Sequence, residues 1–225
     1  MIYFNEKLFL VHIFTISTIV LIGLRMGKNA LIALMSVFVI TMNLFITKQI
    51  ELFGLSLTAT DSFTVGIGLI VNLLQEYWNR ETAIKAIKIS FFISGVFVIM
   101  SSFHLAYNPH CNDTLHENFD AILSWTPRII AASLVTFLVT QLIDTRLYAY
   151  MLKKFHKRYF LLRNYGSLLV SQVVDTVLFT FLGLYGIVYD VKAIIIVSFI
   201  MKAISILIAT PYIAMTRKFI IGKKD

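Results

Sequence analysis

Gln141-Leu-Ile-Asp-Thr-Arg-Leu-Tyr148 and Gln172-Val-Val-Asp-Thr-Val-Leu-Phe179 are two stretches that nearly copy each other. Each places a glutamine amide and an aspartate carboxylate three residues apart, so that both groups lie on one face of a helix. Both stretches lie within long apolar runs of a length typical of membrane-spanning helices. Because a carboxylate at the centre of a bilayer costs about 2.5–3.5 kcal/mol on insertion scales, Asp144 and Asp175 are predicted to serve a function.

The composition around these motifs predicts a polytopic helical membrane protein. Hydrophobic residues make up 58% of the 225 residues, charged residues make up 14%, and the mean hydropathy is +0.82. A soluble domain carries about 25% charged residues. The sequence has no room for a nucleotide-binding domain and no Gly-rich phosphate loop. The predicted fold class is therefore all-α, a membrane helix bundle that forms a single domain over residues 1–225.

Seven apolar segments are predicted to span the membrane, and most of the connections between them are short. Their approximate bounds are 8–24, 29–47, 55–75, 84–107, 121–147, 164–188 and 192–215. Six spans are the alternative, if residues 8–47 form one hairpin-like unit.

The distribution of Lys and Arg predicts a bundle with its N-terminus outside and its C-terminus inside. Alternate connections hold most of the basic residues: Arg25, Lys28, Arg80, Lys85, Lys88, Arg146, Lys153, Lys154, Lys157, Arg158, Arg163, Arg217, Lys218, Lys223 and Lys224. The other connections hold only Lys7, Lys48 and Lys192. The positive-inside rule makes the first set cytoplasmic. The net charge of +8 is then a topology signal, and no nucleic-acid partner is predicted.

This topology makes the two Gln-x-x-Asp-Thr motifs antiparallel, on neighbouring spans and at somewhat different depths. Inverted repeats with a binding site at their interface recur among transporters. The match covers only eight residues, so two independent polar patches are the plainer interpretation and a structural repeat is the alternative. In span six, which carries the second motif, a polar stripe at intervals of four runs from Arg163 through Ser171 to Asp175, with Gln172 on its flank.

A lysine in the last predicted span, Lys202, is expected to pair with Asp175. The two residues lie at similar distances from the loop at 188–191, and both helices rise about 1.5 Å per residue. The pair is either purely structural or a charge pair that opens when a substrate or a proton arrives.

Other polar residues also fall within the predicted spans. In span three, Asp61 lies toward the outer half, and Asn72 and Glu76 lie at the inner end. Span five opens with Thr126-Pro-Arg128, and Arg128 either snorkels to the outer surface or guards an outer vestibule.

No catalytic residues emerge from the sequence. The five histidines are scattered without metal-ligand spacing, and there is no Gly-x-Ser-x-Gly nucleophile motif. The lone Cys111 excludes an internal disulfide and a cysteine metal cluster. We therefore predict no metal, no cofactor and no enzymatic activity.

A series of short motifs in a fixed order is shared with a known family. They are Lys48-Gln-Ile, Phe53-Gly-Leu, Thr58-Ala-Thr-Asp61, Asn72-Leu-Leu-Gln-Glu-Tyr77, Thr126-Pro-Arg128, Gln141-x-x-Asp144, Arg163-Asn164, Ser167, Ser171-Gln172-x-x-Asp175-Thr176, Phe179, Lys202 and Thr210-Pro211. Over about residues 43–212 the chain resembles the queuosine-precursor transporter family, also called the vitamin uptake transporter family.

The resemblance implies import of a 7-deazaguanine (queuine, preQ0 or preQ1) across the cell (inner) membrane, for salvage into a tRNA modification. The substrate would be held by Gln141 with Asp144 and by Gln172 with Asp175, supported by Arg163, Ser171 and Lys202. Asn72, Glu76, Asp61 and Arg128 are further candidates for this site. The alternative is a substrate-capturing membrane subunit of an ATP-driven micronutrient importer. The sequence leaves the oligomeric state open, with a homodimer as one option.

Overall fold

The computed structural model describes residues 4–46, 48–52, 55–58, 60–124, 127–155, 159–186 and 191–221. These ranges contain the helices α1 (Phe4–Met26), α2 (Lys28–Phe45), α3 (Asp61–Tyr77), α4 (Arg80–Ala106), α5 (His116–Leu123), α6 (Pro127–Lys154), α7 (Phe160–Phe179) and α8 (Val191–Ile221). An antiparallel hairpin of β1 (Gln49–Leu52) and β2 (Leu55–Thr58) precedes α3, and a π-helical turn, Thr180–Leu184, continues α7.

The apolar surface and the length of the helices identify a membrane bundle. Within the described ranges, five helical segments are long and apolar enough to cross a bilayer: Phe4–Met26, Lys28–Phe45, Arg80–Ala106, Phe160–Gly183 and Ile195–Met215. Large apolar side chains such as Phe92 and Phe103 lie exposed on the outside, where lipid tails would contact them. The predicted all-α membrane fold is confirmed, while the number of spans and their orientation stay predictions.

Two boundaries differ from those predicted. The segment 55–58, predicted to open span three, is strand β2, with Gln49 opposite Thr58 and Leu52 opposite Leu55. Its residues alternate between small polar and apolar side chains, and this period of two favours a strand. Span five begins at Pro127 rather than at 121, because the preceding residues form the separate short helix α5. Proline suits the first turn of a helix, where its missing N–H costs nothing.

Helix α3 lies at the centre of the bundle. Every residue from Asp61 to Gln75 except Phe63 is buried, and α3 packs against α1, α2, α4, α6, α7 and α8. Glycines permit this close approach: a Cβ added at Gly66 would lie 2.6 Å from Ile16, and one added at Gly68 would lie 2.3 Å from Leu168. The polar groups of α3 therefore face other helices rather than lipid.

Helices α6 and α7 form an antiparallel pair. The side chain of Ala132 lies next to Gly183, that of Asp144 next to Ser171, and that of Met151 next to Gly166. As the residue number rises along α6, the number of the facing residue in α7 falls by a similar amount. This register fixes the placement of the two repeated motifs.

Candidate functional site

Lys202 of α8 lies between two carboxylates. Its Nζ atom donates to Asp175 Oδ2 at 2.6 Å and to Thr176 Oγ1 at 3.1 Å, and it lies 3.8 Å from Asp61 Oδ1. The Lys202 and Asp61 side chains are 6% and 8% exposed. The predicted pair of Lys202 with Asp175 is confirmed, and Asp61 joins it as a third charged group.

A second polar group is built from the two motifs. Asp144, Gln141 and Gln172 are almost completely buried, and Asp144 Oδ1 accepts a hydrogen bond of 3.4 Å from Ser171. Among the described residues, no hydrogen-bond partner is found for Asp144 Oδ2, for Gln141 Oε1 or for either polar atom of the Gln172 amide. Gln75, next to Glu76 on α3, also has a buried amide for which the described residues offer no hydrogen-bond partner. Since a buried polar atom without a partner costs about 1–3 kcal/mol, such a group of side chains is suited to a polar ligand.

The two motifs lie at the same level of the bundle, so the expectation of different depths was wrong. The antiparallel register of α6 and α7 sets Gln141 opposite the Asp175 region and Asp144 opposite Gln172. Each glutamine therefore lies level with the carboxylate of the other motif. The sequence could not give this register because it depends on where the turn between the helices begins and ends.

At the Glu76 end of α3, charged and polar side chains join α3 to α6 and α7. Arg163 Nη2 donates to Glu76 Oε2 at 2.6 Å, and the Tyr148 hydroxyl donates to the same oxygen at 2.8 Å. The Arg163 guanidinium also lies over the Tyr148 ring, 5.6 Å from its centroid. Arg163 and Tyr148 are fully buried, and the Glu76 side chain is 11% exposed.

One turn closer to the N-terminus of α3, side-chain amides also join α3 to the neighbouring helices. Asn72 Nδ2 donates to Asn164 Oδ1 at 2.8 Å and to Ser167 Oγ at 3.1 Å. Asn164 in turn donates to Thr210 Oγ1 of α8 at 3.0 Å. Asn72 Oδ1 has no hydrogen-bond partner among the described residues. Three helices are thus joined at this level by side-chain hydrogen bonds.

The predicted site residues fall into three neighbouring groups rather than one shell. Asp61, Asp175 and Lys202 form the first, Gln141, Asp144, Ser171 and Gln172 the second, and Asn72, Glu76 and Arg163 the third. Arg128 is in the first turn of α6, and its side chain lies outside the described part of the structure. Gln75, Asn164 and Tyr148 also belong to the polar interior; all three lie within the quoted motifs but were not among the predicted site residues.

A bundle with an apolar exterior and buried charges at its centre is a multi-pass membrane protein with a polar interior. In lipid, ionisable groups placed this way mark substrate and ion pathways. The fold and the site therefore define a membrane protein of the transporter class.

Comparison with known proteins identifies the family. Residues 62–216 match the family model described as "Putative vitamin uptake transporter". The chain is 30% identical over 199 residues to a Bacillus subtilis (strain 168) protein named "Probable queuosine precursor transporter", and the match covers 86% of each chain. No solved structure matches significantly. The chain belongs to the vitamin uptake transporter family, which is a family of transporters and not of enzymes.

Proposed function

We propose that this protein imports a queuosine precursor, a 7-deazaguanine, across the cytoplasmic membrane. One observation carries the proposal: buried polar atoms for which the described residues offer no hydrogen-bond partner are concentrated on α6 and α7, at Gln141, Asp144 and Gln172. The named function of the Bacillus relative supports the choice of substrate.

The chemistry of these groups suits the polar edge of a deazaguanine. Its 2-amino-4-oxopyrimidine edge presents adjacent N–H donors and a carbonyl acceptor. The carboxylate of Asp144 can accept two donors, and the amide of Gln172 can donate to the carbonyl and accept elsewhere. Because each amide offers both functions, a planar ligand with mixed donors and acceptors satisfies more of the site than a simple anion does.

The third group is proposed to close one end of the path. The ion pair of Glu76 with Arg163 and the bonds of Asn72 join α3 to α7 at Arg163 and Asn164, about two helical turns before Gln172. In alternating access, helices move around a site near the membrane midplane. Access from the Glu76 end then requires these contacts to open. Arg128, in the first turn of α6, is proposed to serve the opposite entrance.

The test is uptake of labelled queuine and of its two smaller precursors into cells that cannot synthesise them and that express only this chain. Gln172→Leu removes the buried amide. Val173→Leu is the matched control, since Val173 is the next residue of α7 and is 44% exposed. Loss of one ligand hydrogen bond with a buried polar group costs about 1–3 kcal/mol, so the apparent affinity of Gln172→Leu should fall about 5- to 150-fold. Val173→Leu should transport normally.

Absence of uptake for all three compounds by the wild-type protein would refute the proposed function. Uptake that is lost when ATP alone is depleted, together with co-purifying ATPase subunits, would instead assign the chain to an ATP-driven importer. Transport by the purified chain in proteoliposomes without ATP separates the two.

A further inference from the structure

We propose that Asp61 is a proton-binding site that couples transport to the proton gradient. The inference deepens the proposed function and rests on it, since it concerns the energy source of the same transporter. It concerns the group of Asp61, Lys202 and Asp175, which lies beside the proposed substrate-binding amides and contains two carboxylates and one ammonium.

The three charged side chains are unequally paired. Lys202 makes a short bond of 2.6 Å with Asp175 and a second bond with Thr176, whereas Asp61 Oδ1 lies at 3.8 Å, beyond hydrogen-bond distance. Asp61 Oδ2 is buried and has no hydrogen-bond partner among the described residues. One ammonium thus neutralises Asp175, and the second carboxylate is left as excess negative charge. A buried carboxylate in this position is stabilised by binding a proton.

A proton fits this position better than a metal cation does. A metal ion beside Asp61 would lie near the Lys202 ammonium, which repels it. A proton on the carboxylate oxygen that faces away from Lys202 forms a neutral acid and needs no further ligands. Among the described residues, no three His, Cys, Asp or Glu side chains are grouped as metal ligands.

The position of Asp61 also favours release of the proton. Asp61 is the first residue of α3, and the positive end of a helix dipole stabilises a carboxylate. Burial favours the neutral form and the dipole favours the charged form, so neither is overwhelmingly preferred. A coupling group must bind the proton on one side of the membrane and release it on the other, and this balance permits both.

Other groups around Asp61 could titrate and must be separated from it. From α7 and α8, Asp175, Lys202 and the hydroxyl of Ser198 face this carboxylate. From α1, His12 Nδ1 lies 3.0 Å from the hydroxyl of Ser62, the residue that follows Asp61. His12 is the alternative titrating group, and it supplies a matched control.

The proton state affects the packing of α3 against α8. A charged Asp61 attracts Lys202 across the interface between the two helices, whereas a neutral Asp61 does not. Binding of one proton therefore weakens one connection of the central helix, and its release restores that connection. The cycle consists only of binding and release of a proton at the Asp61 carboxylate, and no other covalent step is required.

The experiment uses the purified full chain in proteoliposomes with labelled queuine and its two smaller precursors. Accumulation under an imposed pH gradient is compared with exchange of substrate at equal pH. Asp61→Asn should lose accumulation, so that the inside-to-outside ratio falls to one, while exchange of substrate at equal pH remains measurable. His12→Gln should retain both activities. Asp61→Glu, which keeps an ionisable group, should retain gradient-driven accumulation.

A second readout needs no substrate. The infrared band of a protonated carboxylic acid should appear in the wild-type protein as the pH is lowered and should diminish in Asp61→Asn, while Asp175→Asn should leave it in place. If Asp61→Asn does not fold, a shift of this band in Asp61→Glu provides the same test.

The proposal is overturned if Asp61→Asn still accumulates substrate under a pH gradient, or if a sodium gradient rather than a pH gradient drives accumulation by the wild-type protein. It is also overturned if neither Asp61→Asn nor Asp61→Glu changes the infrared band. Failure of wild-type uptake for all three compounds contradicts the proposed function instead, and the infrared readout still decides whether Asp61 binds a proton.

Discussion

Removing the buried guanidinium of Arg163 should destabilise the bundle more than removing its whole ion pair. Arg163 Nη2 and Glu76 Oε2 are 2.6 Å apart, and Coulomb's law at an effective dielectric constant of about 20 gives a gross attraction of about 6 kcal/mol. Breaking a fully buried pair from one side costs about 3–5 kcal/mol, because the remaining charge is uncompensated. The Glu76 side chain is 11% exposed and keeps the Tyr148 hydroxyl as a donor, which lowers the expected cost of Arg163→Met to about 2–4 kcal/mol.

The assay is a double-mutant cycle measured by detergent-induced unfolding in mixed micelles. Glu76→Gln combined with Arg163→Met leaves no unpaired charge, so the double variant should be more stable than Arg163→Met alone. Arg146→Met is the control, since Arg146 is an exposed cation of α6 whose loss should change the free energy of unfolding by less than about 0.5 kcal/mol. The reasoning is refuted if Arg163→Met costs no more than this control, or if the two substitutions are simply additive.

Three further substitutions test the packing and the charges of the core. Gly68→Ala places a methyl group 2.3 Å from Leu168 and should lower the free energy of unfolding by about 1–3 kcal/mol, with partial recovery in the Gly68→Ala and Leu168→Ala double variant. Gly95→Ala on α4, where an added Cβ meets nothing within 4 Å, should raise it by about 0.5–1 kcal/mol in the same unfolding assay. Lys202→Met leaves the buried carboxylate of Asp61 and the partly exposed carboxylate of Asp175 without their cation, so it should expose the core to protease at neutral pH. Adding Asp175→Asn should restore part of the protection, and equal protease sensitivity of the single and double variants would contradict this.

Residue spacing within predicted helices was sufficient to predict some contacts of the polar interior. Lys202 and Asp175 were predicted to pair because both lie at similar distances from one connection, and helices of constant rise keep such residues level. The burial of Ser171 and Gln172 likewise follows from their position on the polar side of α7. Such inferences need only the positions of residues on two consecutive helices relative to the connection between them, and these positions can be counted in the sequence.

Contacts between helices distant in the chain could not be predicted. Asp61 lies near Lys202, and Glu76 bonds Arg163, because α3 occupies the centre of the bundle. Spacing within α3 does not reveal which helices surround it. The hairpin before α3 had a recognisable signal, two short β-prone runs separated by a pair of residues that includes Gly54, but the surrounding apolar residues favoured a longer membrane span.

The central position of α3 has a consequence for biosynthesis. At 17 residues α3 is about 25 Å long, less than the roughly 30 Å of a bilayer's hydrocarbon, and it carries Asp61, Asn72, Gln75 and Glu76. The helices α1, α2 and α4 meet the length and apolarity needed to enter a membrane alone, and α3 is not among the segments that do. Its polar partners on α7 and α8 are synthesised last. We therefore expect the nascent chain to hold α3 at the membrane surface or among its early neighbours, and the bundle to close around α3 only after α7 and α8 have been synthesised.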